Sequence, residues 1–187
     1  MDHRALAFML LVVVAATASY LDPFGLMEQP EAAEVASCDG TTMNLSGPEA
    51  ELLSLHNETR GEHGAPPLCV EKRLAAVAGA HSKDMIERDF YSHETPEGVT
   101  PAQRVQSAGY DYSSMAENIH LKEVSRMGRP STRDLGATFE DWMESPGHRE
   151  NLLNPALKEV GIGVATGMTQ KGMRPMGAYT VNFGTPR

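Results

Sequence analysis

Hydrophobic residues recur at helical spacing in two stretches of the chain. In residues 70–88, the positions that would share one helix face are Leu74, Val77, Ala78, His81, Met85 and Ile86. In residues 135–144, Leu135, Phe139 and Trp142 stand at i, i+4 and i+7. The pattern predicts a helix from Val70 or Glu71 to Arg88 and another from Leu135 to Glu144.

Start and stop signals predict two further helices. Ser46 or Gly47 can cap a helix that begins at Pro48, runs to about His63 and ends before Gly64. The pair Thr100-Pro101 opens a shorter helix that ends near residue 109.

The hydrophobic period changes in the last third of the chain. Residues 161–166 and 178–183 read as two strands around a Gly- and Met-rich turn at 167–177, and residues 119–124 read as another strand. Helices followed by a few late antiparallel strands indicate an α+β fold.

The first 47 residues differ in composition from the rest. Residues 1–18 contain an apolar run, Ala5 to Ala18, that ends in a small-residue cleavage pattern and predicts a signal peptide. The run is shorter than the roughly 20 residues of a spanning helix, and the alternative is an uncleaved N-terminal anchor reaching Leu21. Residues 19–47 predict an acidic, flexible, irregular leader, and residues 48–187 a single domain. Either interpretation places that domain outside the cytoplasm.

Most of the net charge of −9 lies before residue 60, where residues 19–59 hold eight Asp or Glu. No Lys or Arg occurs between Arg4 and Arg60, whereas residues 60–187 carry sixteen acidic against fifteen basic residues. A near-neutral domain offers no basic face for phosphates, which argues against nucleic-acid binding and against strong binding to anionic lipid.

The chain has two cysteines, Cys38 and Cys69. In an exported protein an even pair suggests one disulfide, which would tie the leader to the loop after the first helix. Two free thiols are the alternative.

Three residues with catalytic or metal-binding side chains are predicted at the ends of elements. His93 follows the second helix, Glu117 precedes a strand, and His148 follows a Pro-Gly turn. Functional side chains often occupy such positions on a rigid scaffold. His93 and His148 are 55 positions apart, so only the fold can bring them together.

Four motifs in this order resemble the CAP superfamily, the SCP domain of cysteine-rich secretory, antigen 5 and pathogenesis-related proteins. They are Leu55-His56-Asn57-Glu58-Thr59-Arg60, Ser92-His93-Glu94-Thr95-Pro96, Ala116-Glu117-Asn118-Ile119, and the stretch from Trp142 to Gly163 with Pro146-Gly147-His148. The resemblance covers roughly residues 48–183 and is closest to the bacterial extracellular branch. It implies a three-layer α-β-α sandwich with a small antiparallel sheet.

The resemblance also implies a cleft that is built from two histidines and two acidic residues. His93, Glu117 and His148 match three of these positions, whereas the second acidic position is Ser145. Glu144 is adjacent, but its direction on a helix differs by about 100°. We therefore expect a His-Glu-His site.

The remaining motif residues predict structural roles. By the resemblance, Asn57 would bond to backbone and Arg60 would pair with a carboxylate. Trp142 and His81 are expected in the core, and His120 is a candidate for the border of the cleft.

Two histidines and a carboxylate suit Zn²⁺ or another divalent metal and leave one position for water. Alternatively, Glu117 orients one imidazole without touching a ligand, or the cluster only satisfies its own polar groups. The chain contains neither His-Glu-x-x-His nor Gly-x-Ser-x-Gly.

We therefore expect a binding module rather than an enzyme, with an envelope component, an apolar small molecule or a protein as its partner. The alternative is a metal-dependent, peptidase-like hydrolase in which Glu117 and His148 would be catalytic.

Overall fold

A computed structural model describes residues 29–124, 129–169 and 174–187. The predicted signal peptide or anchor at 1–18 lies outside the described residues. The helices are α1 (Gly47–Glu62), α2 (Lys72–Arg88), α3 (Pro101–Ser107), α4 (Thr132–Glu144) and α5 (Pro146–Leu153). The strands are β1 (Ala33–Ala36), β2 (Thr42–Leu45), β3 (Cys69–Val70), β4 (Tyr112–Glu123), β5 (Glu159–Met168) and β6 (Pro175–Pro186).

The central sheet has four strands in the order β3-β5-β6-β4. Strands β5, β6 and β4 are antiparallel neighbours, and the short β3 runs parallel to β5. Strand β4 is therefore an edge strand, and its outer side has no strand beside it among the described residues. This edge carries the candidate site.

Alternation along the strands divides the core between the two faces of the sheet. Val160, Ile162, Tyr179, Val181 and Phe183 pack with side chains of α1, α4 and α5 around the fully buried Trp142. Helix α2 lies on the other face, where Met85 and Ile86 pack against Ile119 and Ala178. The result is the expected α+β fold with a three-layer α-β-α arrangement.

Helix α2 approaches the sheet closely because two facing strand residues are glycines. A Cβ added to Gly161 would lie 2.0 Å from the main-chain nitrogen of Ala75, and one added to Gly163 would lie 2.1 Å from that of Gly79. The glycines of β5 thus set the distance between these two layers.

Two predictions of local structure are wrong. The segment expected to be irregular contains an antiparallel hairpin, in which β1 pairs with β2 from Ala33 opposite Leu45 to Ala36 opposite Thr42. Its inward residues, Val35 and Leu45, join a small cluster with Val70, which explains why four-residue strands are ordered here. The Pro-Gly turn before His148 is instead the first turn of α5, which begins at Pro146, where the missing N–H of proline costs nothing.

Cys38 and Cys69 form a disulfide with a Cα–Cα distance of 5.1 Å, which confirms the predicted pairing. Cys38 lies between β1 and β2 and Cys69 lies in β3. The bond therefore attaches the hairpin to the β3 side of the sheet, opposite the edge formed by β4.

Arg60 and Asn57 hold α1 to the loops beside it. The buried Arg60 donates hydrogen bonds to the carbonyls of Pro66, Leu152, Asn154 and Leu157. The expectation that Arg60 pairs with a carboxylate is therefore wrong, because carbonyls at the ends of two loops occupy its donors. Asn57 exchanges two hydrogen bonds with the main chain of Leu68.

Candidate functional site

Glu117 lies within β4, rather than before a strand as predicted, and is bound by two side chains from other segments. Its Oε1 is 2.9 Å from Nδ1 of His93, and its Oε2 accepts a 2.6 Å hydrogen bond from Arg104. The Glu117 side chain is only 2% exposed, whereas that of His93 is 49% exposed. The pair thus has a buried carboxylate and an imidazole that is open to solvent.

These contacts fix the protonation pattern of His93. A carboxylate only accepts hydrogen bonds, so the Nδ1 atom that faces Glu117 carries the proton in the neutral ring. The Nε2 atom is then an unprotonated nitrogen, which can accept a hydrogen bond or bind a metal ion.

Arg104 also holds the loop that carries His93. Its Nη1 donates to the main-chain carbonyls of His93 at 2.7 Å and of Val99 at 3.1 Å. One guanidinium on α3 therefore positions both the carboxylate and the backbone of the histidine that the carboxylate contacts.

His148 reaches the site from the other side of the sheet, in the first turn of α5. Its main-chain carbonyl accepts a 3.0 Å hydrogen bond from Asn118, the buried residue next to Glu117 on β4. Asn118 in turn accepts a 2.9 Å bond from Asn151. Because side chains alternate along a strand, Glu117 and Asn118 fasten His93 and α5 to opposite faces of the same edge strand.

The electrostatic environment connects the two histidines. Partial burial lowers the pKa of His148, and the positive charge of a protonated His93 lowers it further. His148 therefore stays neutral down to a lower pH than an exposed histidine does.

Ser145 joins α4 to α5 and offers no acidic group at the second acidic position. It has extended backbone angles and makes no side-chain capping bond. The carboxylate one helical turn earlier on α4, Asp141, contacts Nε2 of His120 at 3.1 Å and Lys122 at 2.8 Å. His120 and Lys122 both lie on β4.

The predicted three-ligand metal set is only partly preformed. Both oxygens of Glu117 are engaged by His93 and Arg104, so Glu117 fits the role of a carboxylate that orients a histidine better than that of a ligand. Among the described residues, the group of three candidate ligands with atoms within 4.8 Å of one another is Cys38, Cys69 and Glu159, whose cysteines form the disulfide. His93 and His148 remain as donors for an ion, and zinc binding stays a prediction.

Sequence reasoning missed two residues of the site. Arg104 lies in the last turn of a short helix, and no pattern around it indicates a partner 13 positions away. Asn118 belongs to the motif Ala116-Glu117-Asn118-Ile119, but its bond to the carbonyl of His148 depends on where α5 begins. His120, the candidate for the border of the cleft, lies on β4 and contacts Asp141. The ring of Trp142 packs edge-on against it, and the indole N–H donates to the carbonyl of Ile119.

The fold is that of an α-β-α protein of the SCP type. The chain belongs to the CAP family, described as the cysteine-rich secretory protein family, whose model matches residues 53–183.

Among known proteins, the chain is 30% identical over 120 residues to the uncharacterized protein YkwD of Bacillus subtilis, covering 64% of this chain and 43% of that protein. It is 33% identical over 116 residues to the uncharacterized membrane protein YlbC of Bacillus subtilis, covering 62% and 31%. The chain thus spans less than half the length of these curated relatives.

Two solved structures share the fold. An extracellular protein of Bacillus anthracis containing an SCP domain superposes with a TM-score of 0.58 at 25% identity, covering 78% of this chain and 46% of that one. An outer surface protein of Borrelia burgdorferi gives a TM-score of 0.59 at 19% identity, covering 83% and 99%.

No helix in the described ranges 29–124, 129–169 and 174–187 has the length and apolar character needed to cross a membrane.

Proposed function

We propose that this chain is an extracellular or envelope-tethered binding module that captures a component of the bacterial envelope at the edge of β4, through His93 and His148. The proposal rests mainly on the two hydrogen bonds that Glu117 accepts. Both of its oxygens are held by hydrogen bonds to His93 and Arg104, so this carboxylate serves to position an imidazole.

The same observation disfavours the hydrolase alternative. A general base must lie within hydrogen-bond reach of the water or group that it deprotonates. The side chain of Glu117 is only 2% exposed and is paired with the guanidinium of Arg104, so a substrate has little access to this carboxylate. At the second acidic position of the family the chain has Ser145, which supplies no carboxylate.

The proposed location has support from a relative and from the chain itself. The SCP-domain protein of Bacillus anthracis, which shares the fold at 25% identity, is an extracellular protein. The disulfide between Cys38 and Cys69 is typical of oxidising compartments outside the cytoplasm.

The test is co-sedimentation of the full chain with purified peptidoglycan sacculi, followed by analysis of the supernatant for released fragments. We expect the wild-type chain to sediment, no fragments to appear, and the double variant His93→Ala/His148→Ala to stay in solution. His63→Ala is the matched control, because His63 is an exposed histidine at the C-terminal end of α1. A wild-type chain that stays in solution overturns the proposal.

The hydrolase alternative gives a different result in the same experiment. Fragments would be released, and their release would stop in His148→Ala and in the presence of a chelator. A zinc titration by calorimetry completes the test of the predicted metal site: a micromolar affinity that is lost in the double variant would support it, and an affinity indifferent to both histidines would contradict it.

A further inference from the structure

The edge strand β4 carries a second imidazole–carboxylate pair besides His93 and Glu117. Nε2 of His120 lies 3.1 Å from Oδ2 of Asp141, close to the 2.9 Å between Nδ1 of His93 and Oε1 of Glu117. Each pair joins a residue of β4 to a residue from a neighbouring segment, and each has one carboxylate that also binds a cation, Lys122 or Arg104.

The two pairs lie on opposite faces of the same strand, and His148 is close enough to interact electrostatically with the histidine of each. Glu117 shares a face with Ile119, which packs against α2, whereas His120 shares a face with Asn118, which bonds to the carbonyl of His148. Burial is the main cause that lowers the pKa of His120, and the positive charge of a protonated His148 lowers it further. The charges of His93, His148 and His120 are therefore coupled along this edge.

Asp141 fixes the tautomer of His120 as Glu117 fixes that of His93. The hydrogen bond to Lys122 is the main cause that lowers the pKa of Asp141, so this carboxyl group is ionised and accepts hydrogen bonds. The Nε2 atom of neutral His120 then carries the proton, and Nδ1 is the accepting nitrogen. The edge of β4 thus carries two imidazole rings, each held by a carboxylate in the tautomer that leaves one nitrogen free to accept a hydrogen bond.

We propose that His120 is a second binding imidazole of this cleft, that Asp141 is its positioning residue, and that the ligand brings hydrogen-bond donors to His93 and His120. The inference rests on the proposed function. It narrows the envelope component to one rich in hydroxyl and amide N–H groups, as the sugar chains of a cell wall are. A purely apolar ligand would bury both accepting nitrogens without a partner, which is unfavourable for each of them.

The test uses variants that keep each internal contact and remove only the accepting nitrogen. His120→Gln retains an amide donor near the position of Nε2, and His93→Asn retains one near Nδ1. We expect each variant to stay folded and its apparent affinity for sacculi to fall at least tenfold. Asp141→Asn should lower this affinity less. Asp111→Asn, a control in an exposed ion pair with Arg187, should leave it unchanged.

Nitrogen-15 NMR of the imidazole rings gives a readout that needs no ligand. In the wild-type chain near pH 8 we expect the Nε2-protonated tautomer of His120 and the Nδ1-protonated tautomer of His93. Asp141→Asn should give a mixture of the two tautomers of His120 and leave the tautomer of His93 unchanged. If Asp141 only stabilised α4, the tautomer of His120 would not change.

The outcomes separate the inference from the proposed function. Sedimentation that is lost in His93→Asn but normal in His120→Gln overturns the inference alone. A wild-type chain that stays in solution overturns the proposed function, and an unchanged His120 tautomer in Asp141→Asn overturns the positioning role whatever the sedimentation shows.

Discussion

The side-chain amide of Asn118 donates a 3.0 Å hydrogen bond to the main-chain carbonyl of His148, and so joins the edge strand β4 to the first turn of α5. Because Asn118 is fully buried and also accepts a bond from Asn151, it sets the position of α5 and of its histidine. The position of His148 in the candidate site therefore depends on this residue.

Replacing Asn118 by Ala should therefore both destabilise the protein and misplace His148. Loss of the two hydrogen bonds should cost about 1–3 kcal/mol in the free energy of unfolding, measured by urea denaturation. Asn44→Ala, on the exposed face of the β1–β2 hairpin, is the control and should change little. Unaltered stability of Asn118→Ala would show that water replaces the amide at no cost.

Arg104→Met should be the most damaging single change at the site itself. It leaves the buried Glu117 without its cation and removes the bonds to the carbonyls of His93 and Val99. Breaking a buried pair in this way typically costs about 3–5 kcal/mol, and urea denaturation would measure the loss.

The double variant Arg104→Met/Glu117→Gln provides the check on that explanation. It should recover part of the stability, because no unpaired buried charge remains. Recovery would assign the cost to the charge, whereas equal instability would assign it to the loop that Arg104 holds.

Gly163→Ala should separate α2 from the sheet. The new Cβ would lie 2.1 Å from the backbone nitrogen of Gly79, and backbone cannot move aside as a side chain can. We expect a loss of about 3 kcal/mol or more, seen as a lower midpoint in thermal or urea unfolding. Gly136→Ala in α4 is the matched control: its Cβ meets nothing within 4 Å, so the change should stabilise the helix by up to about 1 kcal/mol.

The stability of the domain should fall as the pH drops below neutral, chiefly because of His56. This ring is fully buried among Phe139, Trp142 and Phe183, and burial lowers its pKa to about 4. Below the ordinary pKa of about 6.5 the unfolded chain binds a proton that the folded one does not. The loss should accumulate from about pH 6.5 to about pH 4, reach roughly 3 kcal/mol from this residue, and level off below that.

Calorimetric melting between pH 8 and pH 4 measures this effect, with His56→Gln as the comparison. The variant should be less stable at pH 8 but should depend less steeply on pH. The pKa values of His81, His120 and His148 are also lowered by burial, so a shallower slope of the same sign should remain. A slope identical to that of the wild-type chain would show that His56 is not its source.

The sequence by itself predicted the α+β class of the fold, the four helices with clear caps or periodic apolar faces, and the disulfide, whereas the resemblance to the CAP superfamily singled out His93, Glu117 and His148. The helices follow from local pattern: apolar residues at helical spacing predict a buried face, and caps and prolines predict where a helix begins. The hairpin of residues 33–45 escaped this reasoning because its strands are four residues long and are ordered by packing on Val70.

Only the tertiary structure decided how the candidate site is arranged. The partners of Glu117 come from positions 93 and 104, and that of His120 from position 141. Such contacts depend on which strand lies at the edge of the sheet and which face each side chain takes. No local pattern encodes those facts, because pairing and layering are set by burial over the whole domain. The contacts of Arg104, Asn118 and Asp141 therefore appear only once β4 is placed at the edge of the sheet, between α2 and α3 on one face and α4 and α5 on the other.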